Sequence, residues 1–556
     1  DIISGNDQLR SSFTGVEKIF QKLNQIAFQY GNLQNPWTTA IKVPATLLVN
    51  TKYPERITNA IVKSKIIGNS ASNLSRVLVN WGFFEAKTLK ELRFKNVPSP
   101  MERDYKWGGK FKPMEHQKTT ASFLSITKRG FCFNEQGTGK TASAIWASDY
   151  LMKIGKIKKV LIVCPLSIMH SAWQADLFKF AVHRSVNIAY GTREKRKDVI
   201  NSGAEYTIIN YDGVEIVEKD ISKAGFDLII IDEANAYKSI STKRWKAMKR
   251  LLSPNVWLWM MTGTPAAQSP VDAFGLGKLC VPDRCPKFFG RFRDMVMYSV
   301  GRFKWVPKTD AEETVFNVLQ PAIRFTKAEC LDLPPLVHVD REAPLTPQQE
   351  KYYKQLKKDM VIHADGEEIS SVNAAVNLNK LLQISGGAVY TDTKEVIEFD
   401  VSNRLNVVRE VIEEASHKVL VFVPYKHTIQ LLQEYLDKHK IISEVINGAV
   451  PVTKRAQIFK SFQETKHPHV LIIQPQAASH GITLTAADTI IWYAPVTSLE
   501  TYLQANARID RPGQNNPMTV VNISGSSVEK RLYSMLQNKL KNHTKLIDLY
   551  KKELAN

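Results

Sequence analysis

The feature that most constrains this chain is Phe133-Asn-Glu-Gln-Gly-Thr-Gly-Lys-Thr141, which follows a short apolar β-type run at Gly130–Phe133 and leads into a helical pattern. A glycine-rich turn between a strand and a helix turns backbone N–H groups and the positive end of the helix toward an anion. Gly137 and Gly139 permit that backbone, with Thr138 between them; Lys140 is placed to reach β- and γ-phosphate oxygens, and the Thr141 hydroxyl to bind Mg²⁺. Asn134 stands where the general pattern has its first glycine. A motif in this setting demands a parallel sheet with helices on both faces, an α/β architecture.

The rest of the chain agrees. Apolar runs at Val160–Val163, Tyr206–Ile209, Leu228–Ile231 and Leu258–Met261 alternate with helical stretches, as βαβ units do. A second series follows at Lys418–Val423, Ile442–Ile446, Val470–Ile473, Thr489–Trp492 and Thr519–Ile523. The expected fold is therefore two tandem α/β parallel-sheet lobes. Lobe 1 spans 106–335 with a helical insertion from 266; lobe 2 spans 336–540 with a helical insertion to about 400, its sheet beginning near 418. Ahead of them, 1–105 is expected to be a mostly helical, basic accessory domain, from helical spacing at Gly15–Tyr30 and in Ala60–Lys90 around Gly68-Asn69-Ser70; 541–556 is a basic tail.

The run Leu228–Ile231 ends in Asp232-Glu233-Ala234-Asn235. Asp-Glu at a strand end also serves as a helix cap, but its spacing from the phosphate loop suits Mg²⁺ positioning by Asp232 and activation of a water by Glu233. In the second α/β domain, Gln504-Ala-Asn-Ala-Arg508-Ile-Asp-Arg511-Pro-Gly-Gln514 sets two arginines three apart, on one helical face, where an arginine finger acting across a cleft must originate.

The net charge of +21 favours a polyanionic partner. Basic residues concentrate at both ends, with 17 Lys/Arg against 8 Asp/Glu in 1–113 and 7 against 2 in 530–556. Five cysteines, an odd number, fit a reducing compartment; Cys280 and Cys285 lack a second Cys/His pair to complete a zinc site. The sequence holds no apolar run near the ~18 residues that cross a bilayer, so no membrane partner and a cytoplasmic location are expected.

Taken in order, the motifs resemble those of Snf-type superfamily-two helicases. They are Pro113-Met-Glu-His-Gln117, the phosphate loop, Val163-Cys-Pro-Leu-Ser167 with Trp173, Ile209-Asn-Tyr211, Asp232–Asn235 and Thr262-Gly-Thr-Pro265. Ile323-Arg-Phe-Thr-Lys327 with Leu333-Pro-Pro335, Phe422, Ser479-His-Gly-Ile-Thr-Leu-Thr-Ala-Ala-Asp488 and Gln504–Gln514 complete the set. The match runs from 113 to about 540, and the compact layout looks most like members encoded by bacteriophages and prophages. The resemblance implies that both lobes are RecA-like, with ATP and Mg²⁺ as cofactors, Gln117 reading the adenine edge and Gln504 in the nucleotide set. It also implies that Thr262–Pro265 couples hydrolysis to motion. DNA would run past Pro165, Ser167, Asn210 and Tyr211 in lobe 1, and past Ser479 and Gly481 in lobe 2. The implied activity is an ATP-dependent translocase on double-stranded or branched DNA in phage replication, recombination or repair, working as a monomer, with replication or recombination proteins as possible partners. Alternatives are a strand-separating or branch-migrating helicase, and a nucleotide-dependent DNA-binding switch with vestigial hydrolysis. One departure stands out: Asn235 replaces the family's usual histidine, and restoring histidine is expected to retain or raise DNA-stimulated turnover.

Overall fold

The computed structural model describes residues 2–3, 46–69, 74–94, 97–107, 111–266, 268–301, 304–362, 371–390, 395–477 and 482–539. The chain divides into two compact units, one formed by 1–130 with 141–158 and the other by 131–140 with 159–556.

In the first unit the accessory region is not helical throughout. Thr46–Thr51, Ser75–Asn80 and Ser64–Asn69 form an antiparallel sheet, with Ile2–Ile3 on its outer edge. Helices Pro54–Ala60 and Phe83–Glu91 add apolar side chains to one core with Leu47, Val49, Val77 and Val79. The helical expectation for 64–80 is therefore corrected. In Ser75–Asn80 burial alternates, with Val77 and Val79 inward and their neighbours outward, and that period of two is a strand's. The Gly68 position marks a register shift inside a strand, at φ +123°, instead of a break between helices. The helix expected over Gly15–Tyr30 and the tail at 541–556 lie outside the described residues.

The second unit carries both expected sheets. The first has the order Ala322–Ile323, Arg129–Cys132, Trp257–Met261, Leu228–Ile231, Val160–Cys164, Tyr206–Asn210, Val186–Ala189. Leu228–Ile231 and Trp257–Met261 are buried along their whole length, as strands covered on both faces must be. The second sheet has the parallel order Leu336–Glu342, Met518–Ser524, Ala487–Trp492, Lys418–Phe422, Val470–Ile473, Ser443–Ile446. It starts at 336 and not near 418. The early strand lies at the sheet's edge with most side chains exposed, so it needs no continuous apolar run, and His338, Asp340 and Arg341 conceal it in the sequence. Between the sheets lie helices Ala273–Cys280, Phe289–Val296, Ala311–Val318, Pro347–Ile362 and Ser371–Gly386, together with two small hairpins, 297–301 with 304–307 and 388–390 with 396–398.

Candidate nucleotide site between the two sheets

Each functional group of the first sheet stands at the carboxyl end of a strand, where loops converge above the sheet edge. The phosphate loop leaves Arg129–Cys132, and Gly137 and Gly139 both take positive φ, +85° and +80°. A side chain at Gly137 would be strained by that φ, and its Cβ would lie 3.3 Å from Arg511 Cγ, close enough that the arginine side chain would have to shift. The Lys140 ammonium donates to two carbonyls of its own loop, Asn134 O at 2.9 Å and Glu135 O at 3.1 Å. Burial pulls the Lys140 pKa down, and the carboxylates of Glu233 and Asp232 oppose that pull.

The acidic pair terminates Leu228–Ile231. Asp232 is held on both oxygens, by the Trp173 indole N–H at 2.9 Å and by the Glu233 backbone N–H at 3.0 Å. Burial raises its pKa, and Lys140 is the main opposing influence. Glu233 takes the left-handed conformation, φ 47° and ψ 57°, an uncommon choice for a residue with a side chain and one found mainly where surrounding structure imposes it. Its Oε2 is enclosed with no hydrogen-bond partner. Burial, then the neighbouring Asp232 charge, push the Glu233 pKa up to about 8, with Lys140 opposing. A carboxylate so poised is suited to accepting a proton near neutral pH.

The arginines reach this site from the second sheet. Arg508 is 1% exposed and donates from Nη1 to Ile482 O at 3.1 Å, while its Nε has no partner. Arg511 is held by Ala507 O at 2.7 Å and Thr483 Oγ1 at 3.3 Å, and its side chain lies over Gly137. Burial lowers both guanidinium pKa values, that of Arg511 to about 10, and in both the Glu233 carboxylate works in the opposite direction. Gln504 is buried and its Nε2 lies 3.4 Å from Glu500 Oε1.

Three groups acquire roles that the sequence did not suggest. Arg324 is buried and donates to the carbonyls of Phe133 and of Gly263, the latter at 2.7 Å, with Glu135 alongside at 3.3 Å. The Phe325 N–H donates to Asn134 Oδ1 at 3.0 Å, so the residue that departs from the usual glycine clips the loop to a neighbouring segment. Lys327 gives its N–H to Glu135 Oε2 at 2.8 Å and pairs through its ammonium with Asp510, beside Arg511. The string Arg324–Lys327 was conspicuous in the sequence, but which loop it braces depends on the fold.

The expected DNA-facing residues are scattered in environment. Pro165 is buried and Ser167 exposed. Asn210 Oδ1 accepts from Arg196 at 2.9 Å, and the Tyr211 hydroxyl turns toward the acidic pair, donating to Asp232 O at 2.6 Å. Ser479 and Gly481 lie outside the described residues. Gln117 and Thr141 belong to the first unit, where Gln117 Oε1 accepts the Met114 N–H at 3.0 Å and Thr141 is the second residue of the helix Lys140–Lys153. Among the described residues no helix is long and apolar enough to cross a membrane.

Two parallel sheets, a phosphate loop and acidic pair on one, and arginines delivered from the other define the class of two-lobed phosphate-loop proteins. The SNF2-related domain model matches residues 116–386, and the helicase conserved C-terminal domain model matches 403–513. The chain belongs to the SNF2-type superfamily-two helicases. It is 26% identical over 416 residues to an uncharacterized ATP-dependent helicase of Mycoplasma genitalium, covering 74% of this chain and 39% of that one. It is 27% identical over 430 residues to the mouse chromodomain-helicase-DNA-binding protein 1-like, covering 73% and 46%. The chain thus spans less than half the length of these two relatives. A putative protein p41 from Acyrthosiphon pisum secondary endosymbiont phage 1 is 22% identical, covering 74% of this chain and 93% of that one. Among solved structures, the Sulfolobus solfataricus SWI2/SNF2 ATPase core in complex with dsDNA covers 80% of this chain and 96% of its own, with 20% identity and a TM-score of 0.39.

Proposed function

We propose that the chain hydrolyses ATP and couples hydrolysis to movement along double-stranded or branched DNA. The observation that carries this reading is the meeting of Arg511 with Gly137, 374 residues away in sequence, and of both arginine charges with Glu233, 275 and 278 residues away. Nucleotide bound there would touch both sheets, so its binding and loss would change how they are held together. Lys140 would exchange its two loop carbonyls for phosphate oxygens. Asp232 offers the carboxylate oxygen that Mg²⁺ takes in its usual mode, with phosphates supplying further oxygens. When bound, the ion would neutralise phosphate charge; Glu233 would hold the attacking water on its unpartnered oxygen, and Arg508 and Arg511 would stabilise charge on the transferred group.

DNA is supported by the charge of +21 and by what the mouse relative's name says of that protein. Binding through phosphates would be salt-dependent and indifferent to sequence. The reading extends to a role in phage replication, recombination or repair in the cytoplasm of a bacterial host, and what supports it is the likeness to a phage protein, p41. The test is ATP hydrolysis measured with single-stranded, duplex, forked and four-way DNA and with RNA, followed by triplex displacement on the best activator. Stimulation by duplex with triplex displacement is expected; hydrolysis indifferent to every nucleic acid would refute the motor.

One observation favours the strand-separating reading. In the hairpin 297–301/304–307, Trp305 faces the helix Phe289–Val296 through Arg293, 3.8 Å from the ring. Tyr298 and Val300 are 49% and 48% exposed. A projecting aromatic of this kind can stack on a base. Unwinding of a fork that is lost on Tyr298→Ala, with duplex-stimulated hydrolysis retained, would support that reading over translocation alone.

A further inference from the structure

Asn235, where this chain departs from its family, has surroundings that account for the amide. It is buried, and its Nδ2 lies 3.2 Å from Thr262 Oγ1, 3.0 Å from Thr264 O, 3.2 Å from Thr264 Oγ1 and 3.1 Å from Glu500 Oε1. A backbone carbonyl and a carboxylate only accept, so the amino end of the side chain must face them. One nitrogen there carries two hydrogens, enough to serve Thr264 O and Glu500 together. The first acceptor belongs to the Thr262–Pro265 segment after Trp257–Met261, and the second to the second lobe.

Glu500 is placed for this. It lies in the first turn of the helix Leu499–Asn506, whose cap is Ser498, with Oγ accepting the Thr501 N–H at 3.2 Å. Ser498 Oγ also receives Gln268 Nε2 at 3.1 Å, a second bond from the loop that follows Thr262–Pro265. Burial raises the Glu500 pKa, and the bond from Asn235 counters it. The helix ends at Asn506 and the chain continues directly through Ala507 and Arg508 to Arg511, so Glu500 and the arginines stand on one short continuous piece of chain.

The geometry points to Asn235 and Glu500 as the contact that couples the second lobe to the Thr262–Pro265 segment, with Glu500 a positioning residue for hydrolysis. This rests on the reading of the chain as an ATP-hydrolysing motor. When the pair is made, Arg508 and Arg511 are held at the phosphate loop and Asn235 is held on Thr264; when the lobes part, both are released together. An imidazole cannot replace the amide here. Each ring nitrogen presents at most one hydrogen, and the two nitrogens point to opposite edges, so Thr264 O and Glu500 cannot both be served from one side. Histidine at 235 is therefore expected to weaken coupling, the reverse of what family resemblance alone suggests.

The experiment measures DNA-stimulated turnover and ATP affinity for Asn235→Ala, Asn235→His, Glu500→Ala, Glu500→Gln and the double alanine variant, with thermal unfolding as a check on folding. Each alanine variant is expected to lose roughly tenfold in stimulated turnover, the scale of one charge-assisted hydrogen bond, with ATP affinity held within about threefold. The double variant should be no worse than the poorer single one, since both remove the same contact. Glu500→Gln should keep most activity, because its Oε1 still accepts. Multiplicative losses, a Glu500→Gln as damaged as Glu500→Ala, or an Asn235→His at or above wild type would each overturn the inference. Should an alanine variant fail to fold, the Gln and His variants decide the matter. A wild-type protein that hydrolyses no ATP would instead refute the functional reading on which it rests.

Discussion

The two sides of the site hold their charged groups in different ways. In the first lobe, fixed local partners hold Lys140 and Asp232, namely carbonyls of the loop itself, the Trp173 indole and a neighbouring N–H, while Glu233 keeps an enclosed oxygen without one. In the second lobe, Arg508 and Arg511 lie beyond the end of a helix, Arg508 buried and left partly unpartnered, Arg511 half-buried. A strand end anchored in a sheet presents its groups whether or not the other lobe is near. A buried cation short of partners is costly and gains most when an anion arrives. The first lobe is thus built to bind and the second to respond.

That contrast is broken or sharpened by substitution, and the largest effect should come from Lys140→Ala. Turnover should be abolished, and thermal unfolding should change little because Lys140 bonds only to its own loop; retention of near wild-type hydrolysis would remove the phosphate-loop assignment. Next stand Arg508→Ala and Arg511→Ala. An arginine finger is worth roughly 10³–10⁵ in turnover where measured in phosphoryl transfer. Losses of that order with much smaller losses of ATP affinity would confirm that the second lobe responds without binding. Lysine should not rescue, lacking the planar fork.

A smaller effect is expected from Glu233→Gln, about 10²–10⁴ for a proton acceptor, with ATP still bound. Equal loss of binding and turnover would mark Glu233 as structural. Its raised pKa gives a sign as well. Asp232 and Glu500 favour the protonated form while Lys140 and Arg508 oppose it, so wild-type turnover should climb with pH toward the Glu233 value of about 8, where an ordinary glutamate would have levelled off. A flat profile from pH 6 to 9 would contradict this placement. Smallest is Lys327→Ala, which removes one half-enclosed ion pair with Asp510 while leaving the Lys327 backbone bond to Glu135 in place. About tenfold in turnover is expected, the scale of a charge-assisted bond. No change would mean that Asp510 holds Arg511 in place without help from the first lobe.

Much of this was legible in one dimension because it is local. The phosphate loop, the Asp232-Glu233 pair and the strands that carry them each occupy a few consecutive residues, and a fully buried parallel strand must be an unbroken apolar run. The same logic explains the failures. Leu336–Glu342 escaped notice because an edge strand is free to carry His338, Asp340 and Arg341, and Ser64–Asn80 was misread because a half-buried strand and a helix face both mix valines with polar residues.

The sequence by itself determined the α/β class, the order of the motifs and the choice of Lys140, Asp232, Glu233, Arg508 and Arg511 as candidates for the site, since these depend on residue type and near neighbours. Only the tertiary structure decided that Arg324 and Asn134 brace the phosphate loop, that Tyr211 turns to the acidic pair, and that Asn235 meets Glu500. The reason is physical. A hydrogen bond requires its atoms within about 3 Å and aligned, and for residues separated by 265 positions, as Asn235 and Glu500 are, the packing of whole sheets sets that distance.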